Sequence, residues 1–264
     1  MKRVFGWMFL GILFGAAVFA VYLYMQGPTY QMPPPTPADT PLPPAAVAEP
    51  EIRYPLPDSA EKEKPLPPLA KSDPTVLAAL ADLFGQKTVK QLFQPQEVVR
   101  RIVVTVDNLP RKIVSAQLLP TTRPAGKLRT EGKGETLVLA EENYSRYTPF
   151  VRVAEMVDAK AFAAAYTKLY PLFQQAYREL GYPKGYFNDR LVAVIDHMLQ
   201  APKVEGPIAL VQPHIFYKFA DPELESLSAG HKLMLRIGEA NAAKVKAKLR
   251  EIRSELTRAA PKTE

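Results

Sequence analysis

The 264 residues contain no cysteine. That excludes disulfides, thiolate metal ligands and any lipid attached through a thioether. Histidine is almost as scarce. His197, His214 and His231 fall in three different predicted elements without H-x-x-x-H or H-x-H spacing, short of the convergent ligands a zinc site needs. With no G-x-G-x-x-G and no P-loop, the usual glycine-rich cradles for nucleotides are missing. Neither a G-x-S-x-G elbow nor an S-x-x-K motif supplies a serine nucleophile, and there is no internal repeat. No cofactor is implied, and no recognisable catalytic signature remains.

Charge is missing from one stretch, Val4 to Met25, and that absence is informative. About 22 apolar residues suffice to cross the roughly 30 Å hydrocarbon core as a helix. A secretory leader has a shorter core ending in a small-x-small site. Here Gln26-Gly27-Pro28-Thr29-Tyr30 follows instead, so an uncleaved anchor is expected. Lys2 and Arg3 precede the run, and the first basic residue after it is Arg53. The positive-inside rule then leaves the N-terminus in the cytoplasm and exports the rest. Trp7, Tyr22 and Tyr24 suit the two interfaces. Gly11 and Gly15 form a small-xxx-small pair through which two spans could approach as a weak homodimer.

Residues 26–69 hold 14 of the 27 prolines, including Met32-Pro33-Pro34-Pro35 and Pro41-Leu42-Pro43-Pro44. Proline fixes φ and lacks an amide donor, so an extended spacer is predicted, with an upper reach on the order of 130 Å. A docking site for PxxP-reading grooves is the weaker reading, because no basic residue flanks the proline runs. The net charge of +7 divides into +2 for residues 1–25, −3 for the linker and +8 for residues 70–264. Such a surplus often marks nucleic-acid binding, but the predicted topology argues against that partner. Anionic lipid head groups or acidic wall polymers fit an exported basic domain, as does a merely solubilising surface.

Within residues 70–264 the apolar period is helical. Ser72-Asp73-Pro74 reads as a cap opening a helix through Phe84, and Thr88 to Phe93 completes a hairpin with it. Pro95 to Leu109 is β-branched in composition, yet Val98, Val99, Ile102, Val103 and Val106 make one helical stripe. Residues 110–149 look irregular, with at most one short strand at Leu137-Val138-Leu139. Asp158 to Leu180 is predicted as a long helix bent at Pro171 and ended by Gly181, with Phe162, Tyr166, Leu169, Phe173, Tyr177 and Leu180 on one face. Phe187 to Leu199 follows with Asn188 as its cap. Pro207 to Gln212 and His214 to Phe219 read as two short strands, Asp221-Pro222-Glu223 as a helix start, and Ser228 to Ile237 and Glu239 to Arg258 as the last helices. The expected fold class is mainly α: a single helical domain with at most a short two-stranded hairpin, preceded by one transmembrane helix (1–25) and a proline-rich linker (26–69).

Scattered carboxylates, Glu141-Glu142, Glu155 with Asp158, and Asp189, could supply a glycosidase pair only if folding brought two together. Asp221, Glu223 and Glu225 lack the glycine and spacing of a calcium loop. The helix pair around Gly238 has the outline of a helix-hairpin-helix, which the exported topology again disfavours as a DNA reader. More suggestive is the aromatic segment from Tyr144 to Phe187, interleaved with arginines. Stacking rings and cations suit a sugar or peptide. The candidate surface is Tyr144, Arg146, Tyr147, Tyr182, Tyr186, Asp189 and Arg190. Phe162, Tyr166, Phe173 and Tyr177 belong to the core by their spacing.

Longer segments carry a resemblance: Asn143-Tyr144-Ser145-Arg146-Tyr147-Thr148-Pro149-Phe150, Leu169-Tyr170-Pro171-Leu172-Phe173, Gly181-Tyr182-Pro183, Tyr186-Phe187-Asn188-Asp189-Arg190-Leu191, and Tyr217-Lys218-Phe219-Ala220-Asp221-Pro222-Glu223-Leu224-Glu225. Leu227-Ser228-Ala229-Gly230-His231-Lys232 and Gly238-Glu239-Ala240-Asn241 continue it. The chain resembles, over about residues 70–258, the bacterial family named domain of unknown function 3014. The resemblance implies a proteobacterial envelope protein with one N-terminal span, and it brings no activity and no catalytic residues. The expected function is a periplasmic binding or scaffold protein anchored in the inner membrane, with a cell-wall polymer or envelope protein as partner. A hydrolase of wall polymers is the alternative, and an assembly factor contacting unfolded proteins a third.

Overall fold

A computed structural model describes residues 51–57 and 65–258. The expected span (residues 4–25), its Gly11/Gly15 face and most of the linker lie outside the described residues. Among those described, no helix is long and apolar enough to cross a membrane.

The domain is mainly helical. A 3-10 turn at Leu69–Lys71 leads into α1 (Asp73–Phe84), α2 (Gln86–Leu92) and α3 (Val98–Asn108). Then come β1 (Thr130–Glu131), β2 (Val138–Leu139), α4 (Glu142–Ser145), α5 (Thr148–Met156), α6 (Ala159–Glu179) and α7 (Phe187–Leu199). β3 (Leu210–Val211), β4 (Lys218–Phe219), α8 (Pro222–Ser226), α9 (Ala229–Arg236) and α10 (Glu239–Leu256) complete the order. β3 and β4 form the expected hairpin, shortened to two residues a strand, with Leu210 opposite Phe219. A second ladder was not expected: Thr130 pairs with Leu139 and Glu131 with Val138. A bridge between Val138 and Ala209 ties the two together. The segment read as irregular (110–149) therefore also carries a strand pair, α4 and the start of α5.

α6 is central. Tyr166, Leu169, Leu172, Phe173, Ala176 and Tyr177 are buried on it, against α3, α7 and α10. Its rings run on into α7: Tyr166 to Phe173 at 5.4 Å, Phe173 to Phe187 at 5.9 Å, and Tyr177 to Phe187 at 5.4 Å between centroids. The rings assigned to the core by spacing sit there, apart from the half-buried Phe162 at its edge. Leu180 does not, because it is the C-cap and 38 % exposed. Gln174 closes the α6–α7 turn. Its Oε1 accepts from the Tyr170 hydroxyl (2.7 Å) and the Phe187 amide (2.8 Å), and its Nε2 donates to Gly185 O (2.7 Å). All the polar atoms of its buried amide are thereby occupied.

Helix ends follow the expected chemistry in part. Asp158, Asp221 and Ser228 accept the Ala161, Glu223 and His231 amides respectively. Ser72 does not cap α1; its hydroxyl donates to Leu69 O. The neighbouring Asp73 instead accepts from the Glu97 and Val98 amides at 2.8 and 2.9 Å, capping α3 from another helix. Gly238 joins α9 to α10 at φ +83°, with the Tyr144 ring against its Cα, so both a side chain and an ordinary backbone conformation are excluded there.

Candidate binding site

The seven candidate residues do not form one face. Four gather at the start of α7. Asp189, in the first turn, turns its carboxylate outward and accepts the amides of Arg53 (2.9 Å) and Tyr54 (2.8 Å). Asn188, expected to cap the helix, is fully buried inside it and donates from Nδ2 to Tyr54 O at 2.8 Å. The Tyr186 hydroxyl accepts the Leu56 amide at 3.0 Å. Residues 51–57, counted with the linker from composition, are therefore a strap lying along α7. Tyr54 and Leu56 pack on the main core, as do Leu66 and the buried Leu69. Beside the strap is a cleft of about 560 Å³ bordered by Glu51, Arg53, Tyr186, Asp189 and Arg190. Two of the proposed ligand-contacting residues thus already hold the chain itself.

Tyr182 and Arg190 meet at a residue missed by the sequence reading, Asp107 of α3, whose side chain is 4 % exposed. Arg190 Nε donates to Oδ1 at 2.9 Å and its Nη2 to the Asp107 carbonyl at 2.7 Å. Arg111 Nη2 donates to Oδ2 at 2.7 Å and to the Tyr182 hydroxyl at 2.7 Å, and that hydroxyl donates to Oδ2 at 3.1 Å. Neighbouring Asp107 raises the Arg111 guanidinium above its ordinary value. Burial pushes the Tyr177 phenol up, and Tyr177 stacks on Tyr182 at 4.5 Å. Both carboxylate oxygens are engaged, Oδ1 by Arg190 of α7 and Oδ2 by Tyr182 from the turn before α7 and Arg111 just after α3, so this cluster works as a clamp. The available signal was a lone aspartate one step along from the apolar stripe Val99, Val103 and Val106.

The other three lie elsewhere. Arg146 donates to Ala125 O, Gly126 O and Asn143 Oδ1 at 2.9, 2.9 and 2.7 Å, holding the 125–126 turn on α4. Tyr144 packs on Gly238 and borders a cavity of about 570 Å³ rimmed by Glu131, Glu141, Glu142 and Glu239. These glutamates are exposed, and Glu239 pairs with Lys203 at 2.9 Å. Tyr147 borders a third hollow, a groove of about 630 Å³ beneath the 112–124 segment. Leu109, Leu119, Phe150, Met198, Met234 and Val245 give it a predominantly apolar lining, and the exposed Ile113 and Leu233 stand in its wall.

Folding also brings together two histidines that the sequence kept apart. The rings of His197 and His231 stack at 4.0 Å, 6° from parallel. His231 Nε2 donates to His197 O at 2.7 Å. Ser228 Oγ accepts the His231 amide at 3.1 Å and lies 2.7 Å from His197 Nε2. Its own proton is free to be donated to an unprotonated ring. Burial, then His231 and Arg190, hold His197 below its ordinary value. The unfolded chain therefore binds a proton first, and stability is lost as pH falls from about 6.5 through the folded value. Urea unfolding of wild type is expected to show a lower midpoint at pH 5.5 than at pH 7.5. His197→Gln is expected to flatten that difference, and an equal pH slope in both would refute the assignment. Among the described residues no three His, Asp or Glu side chains converge as a metal site.

A family model described as protein of unknown function (DUF3014) matches residues 98–253, from the start of α3 to the last turns of α10. No curated protein and no solved structure matches the chain.

Proposed function

The chain belongs to that family of proteins of unknown function, and from its own residues we propose that it is a binding protein of the bacterial envelope, anchored in the inner membrane by one span. The apolar run Val4 to Met25 would hold it in lipid, with the N-terminus cytoplasmic and the domain periplasmic. The observation that carries the binding reading is the 630 Å³ groove. Its volume lies in the range of small-molecule sites, roughly 300–1,000 Å³. Apolar side chains stand exposed in its wall, and soluble proteins seldom leave such groups clustered without use. By contrast, Tyr182, Tyr186, Asp189, Arg190 and Arg146 are occupied by the strap, the clamp and the Arg146 tether, and of the residues first suspected of recognition it is Tyr147 that borders the groove.

Fusion of alkaline phosphatase to the C-terminus is expected to be active, and the chain is expected to resist carbonate extraction from membranes. An inactive fusion, or release into the wash, would overturn the anchored, exported arrangement. The glutamate-rimmed cavity keeps one observation in favour of a wall hydrolase. A general acid needs a carboxylate whose proton is retained by desolvation, and these four are exposed. Release of soluble fragments from purified sacculi by wild type but not by the E141Q/E142Q variant would favour the hydrolase instead.

A further inference from the structure

The apolar groove does not end at its own walls. A second hollow of about 270 Å³ abuts it and shares Thr121, Phe150 and Val245. Phe84, Phe93, Phe162, Leu249 and Ile252 line this second, equally open hollow. Joined at the shared residues, the two make a predominantly apolar path running from the 112–124 segment towards α6. Its charged lining is of one sign. Lys112, Lys232 and Arg236 stand in the wall of the first hollow and Lys248 in that of the second, while neither wall contains an aspartate or glutamate. Two of these cations are already matched, Lys232 with Glu225 and Lys248 with Glu251. The other two make no ion pair among the described residues. Lys112 Nζ donates to the Ser226 carbonyl, and the Arg236 guanidinium lies over the Phe219 ring at 5.4 Å.

We propose that this path binds a single-chain anionic amphiphile of the long-chain carboxylate class, its tail in the two compartments and its head at Lys112 and Arg236. The inference rests on the binding-module reading and names its ligand class. An unbranched chain suits two abutting compartments in a way that a sugar or a folded partner does not. The walls are predominantly apolar, with hydroxyls only at Thr105, Thr121, Thr122 and Tyr147, so most polar groups of a sugar or peptide would be left unpaired there, which is costly. The head is anionic, because every charged side chain in the two walls is a cation and nothing there matches a positive charge; Lys112 has no carboxylate partner among the described residues, and Arg236 only shares Glu225 at longer range with Lys232. A protein anchored in a membrane lies beside a supply of such molecules.

Full-length chain in phosphatidylcholine nanodiscs, photolabelled with a diazirine analogue of palmitate or of hexadecanol, tests this. Palmitate adducts are expected on peptides carrying Phe150 and Val245, about fivefold above those of the alcohol, the combined worth of two weak ion pairs. K112E/R236E reverses both head-group charges and is expected to erase that preference. Because Lys112 also bonds the Ser226 carbonyl and Arg236 also stacks on Phe219, its melting temperature is compared with that of wild type and of the neutral K112Q/R236Q variant, which is expected to lose the preference too. Val245→Trp is expected to remove labelling around Phe84 and Phe162, with its melting temperature checked against wild type. Equal labelling by acid and alcohol, or adducts confined to residues 4–25, would overturn the inference and leave the anchored binding module standing. Cross-links from a second copy or another segment of the chain into the groove would do the same. The module itself fails separately, through the phosphatase fusion and carbonate extraction.

Discussion

Asp107→Ala is expected to cost about 3 kcal/mol of unfolding free energy, near the lower end for breaking a buried ion pair. The carboxylate is almost wholly buried and receives Arg190, Arg111 and the Tyr182 hydroxyl. Its removal leaves the half-buried Arg190 guanidinium with the Asp107 carbonyl as its one remaining acceptor in the clamp. The hydroxyl of Tyr182 also loses the acceptor of its own proton. For a domain of this size each kcal/mol moves the melting temperature by roughly 2–4 °C, so a fall of about 6–12 °C is expected. Arg111→Ala separates charge from packing. That side chain is 53 % exposed and solvent takes its place, so little change is expected. Urea and thermal unfolding with two optical probes check both variants. A D107A protein as stable as wild type would mean that the clamp is dispensable, and α3 would then be held to α7 by apolar contact alone.

Helix existence was legible because it depends on local period. Phe187–Leu199 and the long helix ending at Gly181 lie where apolar spacing puts them. In α3 the helical stripe prevailed over β-branched propensity, since Val98, Val99 and Val103 are each at most 1 % exposed. What failed was every feature whose partner lies far away in sequence. Ser72 looks like a cap, but the α3 amides 24 and 25 residues beyond Asp73 find that side chain instead. Asn188 looks like a cap because asparagine favours that position, yet its amide answers a strap 134 residues earlier. Proline content marked residues 51–57 as spacer. Composition reports which backbone conformations are allowed, not where an extended segment finds hydrogen-bond acceptors. β2 falls within the stretch read as a strand, Leu137-Val138-Leu139, but its two-residue partner β1 is too short to show an alternating pattern at all. For the candidate surface, clustering of tyrosine and arginine in sequence was real, but a helix distributes neighbours around its circumference. Tyr144, Arg146 and Tyr147 consequently face three different surroundings. The apolar groove was invisible because the segment after α3 and α9 supply most of its wall, while α3, α5, α7 and α10, far apart in sequence, close it with one or two side chains each.

Asp189→Ala is expected to release the strap while leaving the helical core folded. Two backbone amides converge on this carboxylate, and hydrogen bonds to a charged group contribute about 1.5–3 kcal/mol. Asp189 is partly exposed, so the lower figure applies, and the strap's opening equilibrium is expected to shift about tenfold. Hydrogen exchange followed at single amides discriminates two outcomes. If the strap moves as a unit, Leu56, bonded to the Tyr186 hydroxyl rather than to Asp189, accelerates together with Arg53 and Tyr54. If only Arg53 and Tyr54 accelerate, the strap is held residue by residue and Asp189 is one contact among several. Core amides of α6 should remain unchanged, because Asp189 touches none of their acceptors. The consequence reaches the proposed anchoring. If the proposed anchoring holds, residues 26–50 would be the spacer with the strap docked, at most about 80 Å as extended polyproline. With it released, the spacer would lengthen only as far as Leu66, which stays packed on the core, and the reach would rise to about 120 Å. One carboxylate in the first turn of α7 would then set how far from the membrane the groove is carried, and a strap that stays protected in D189A would remove that role from it.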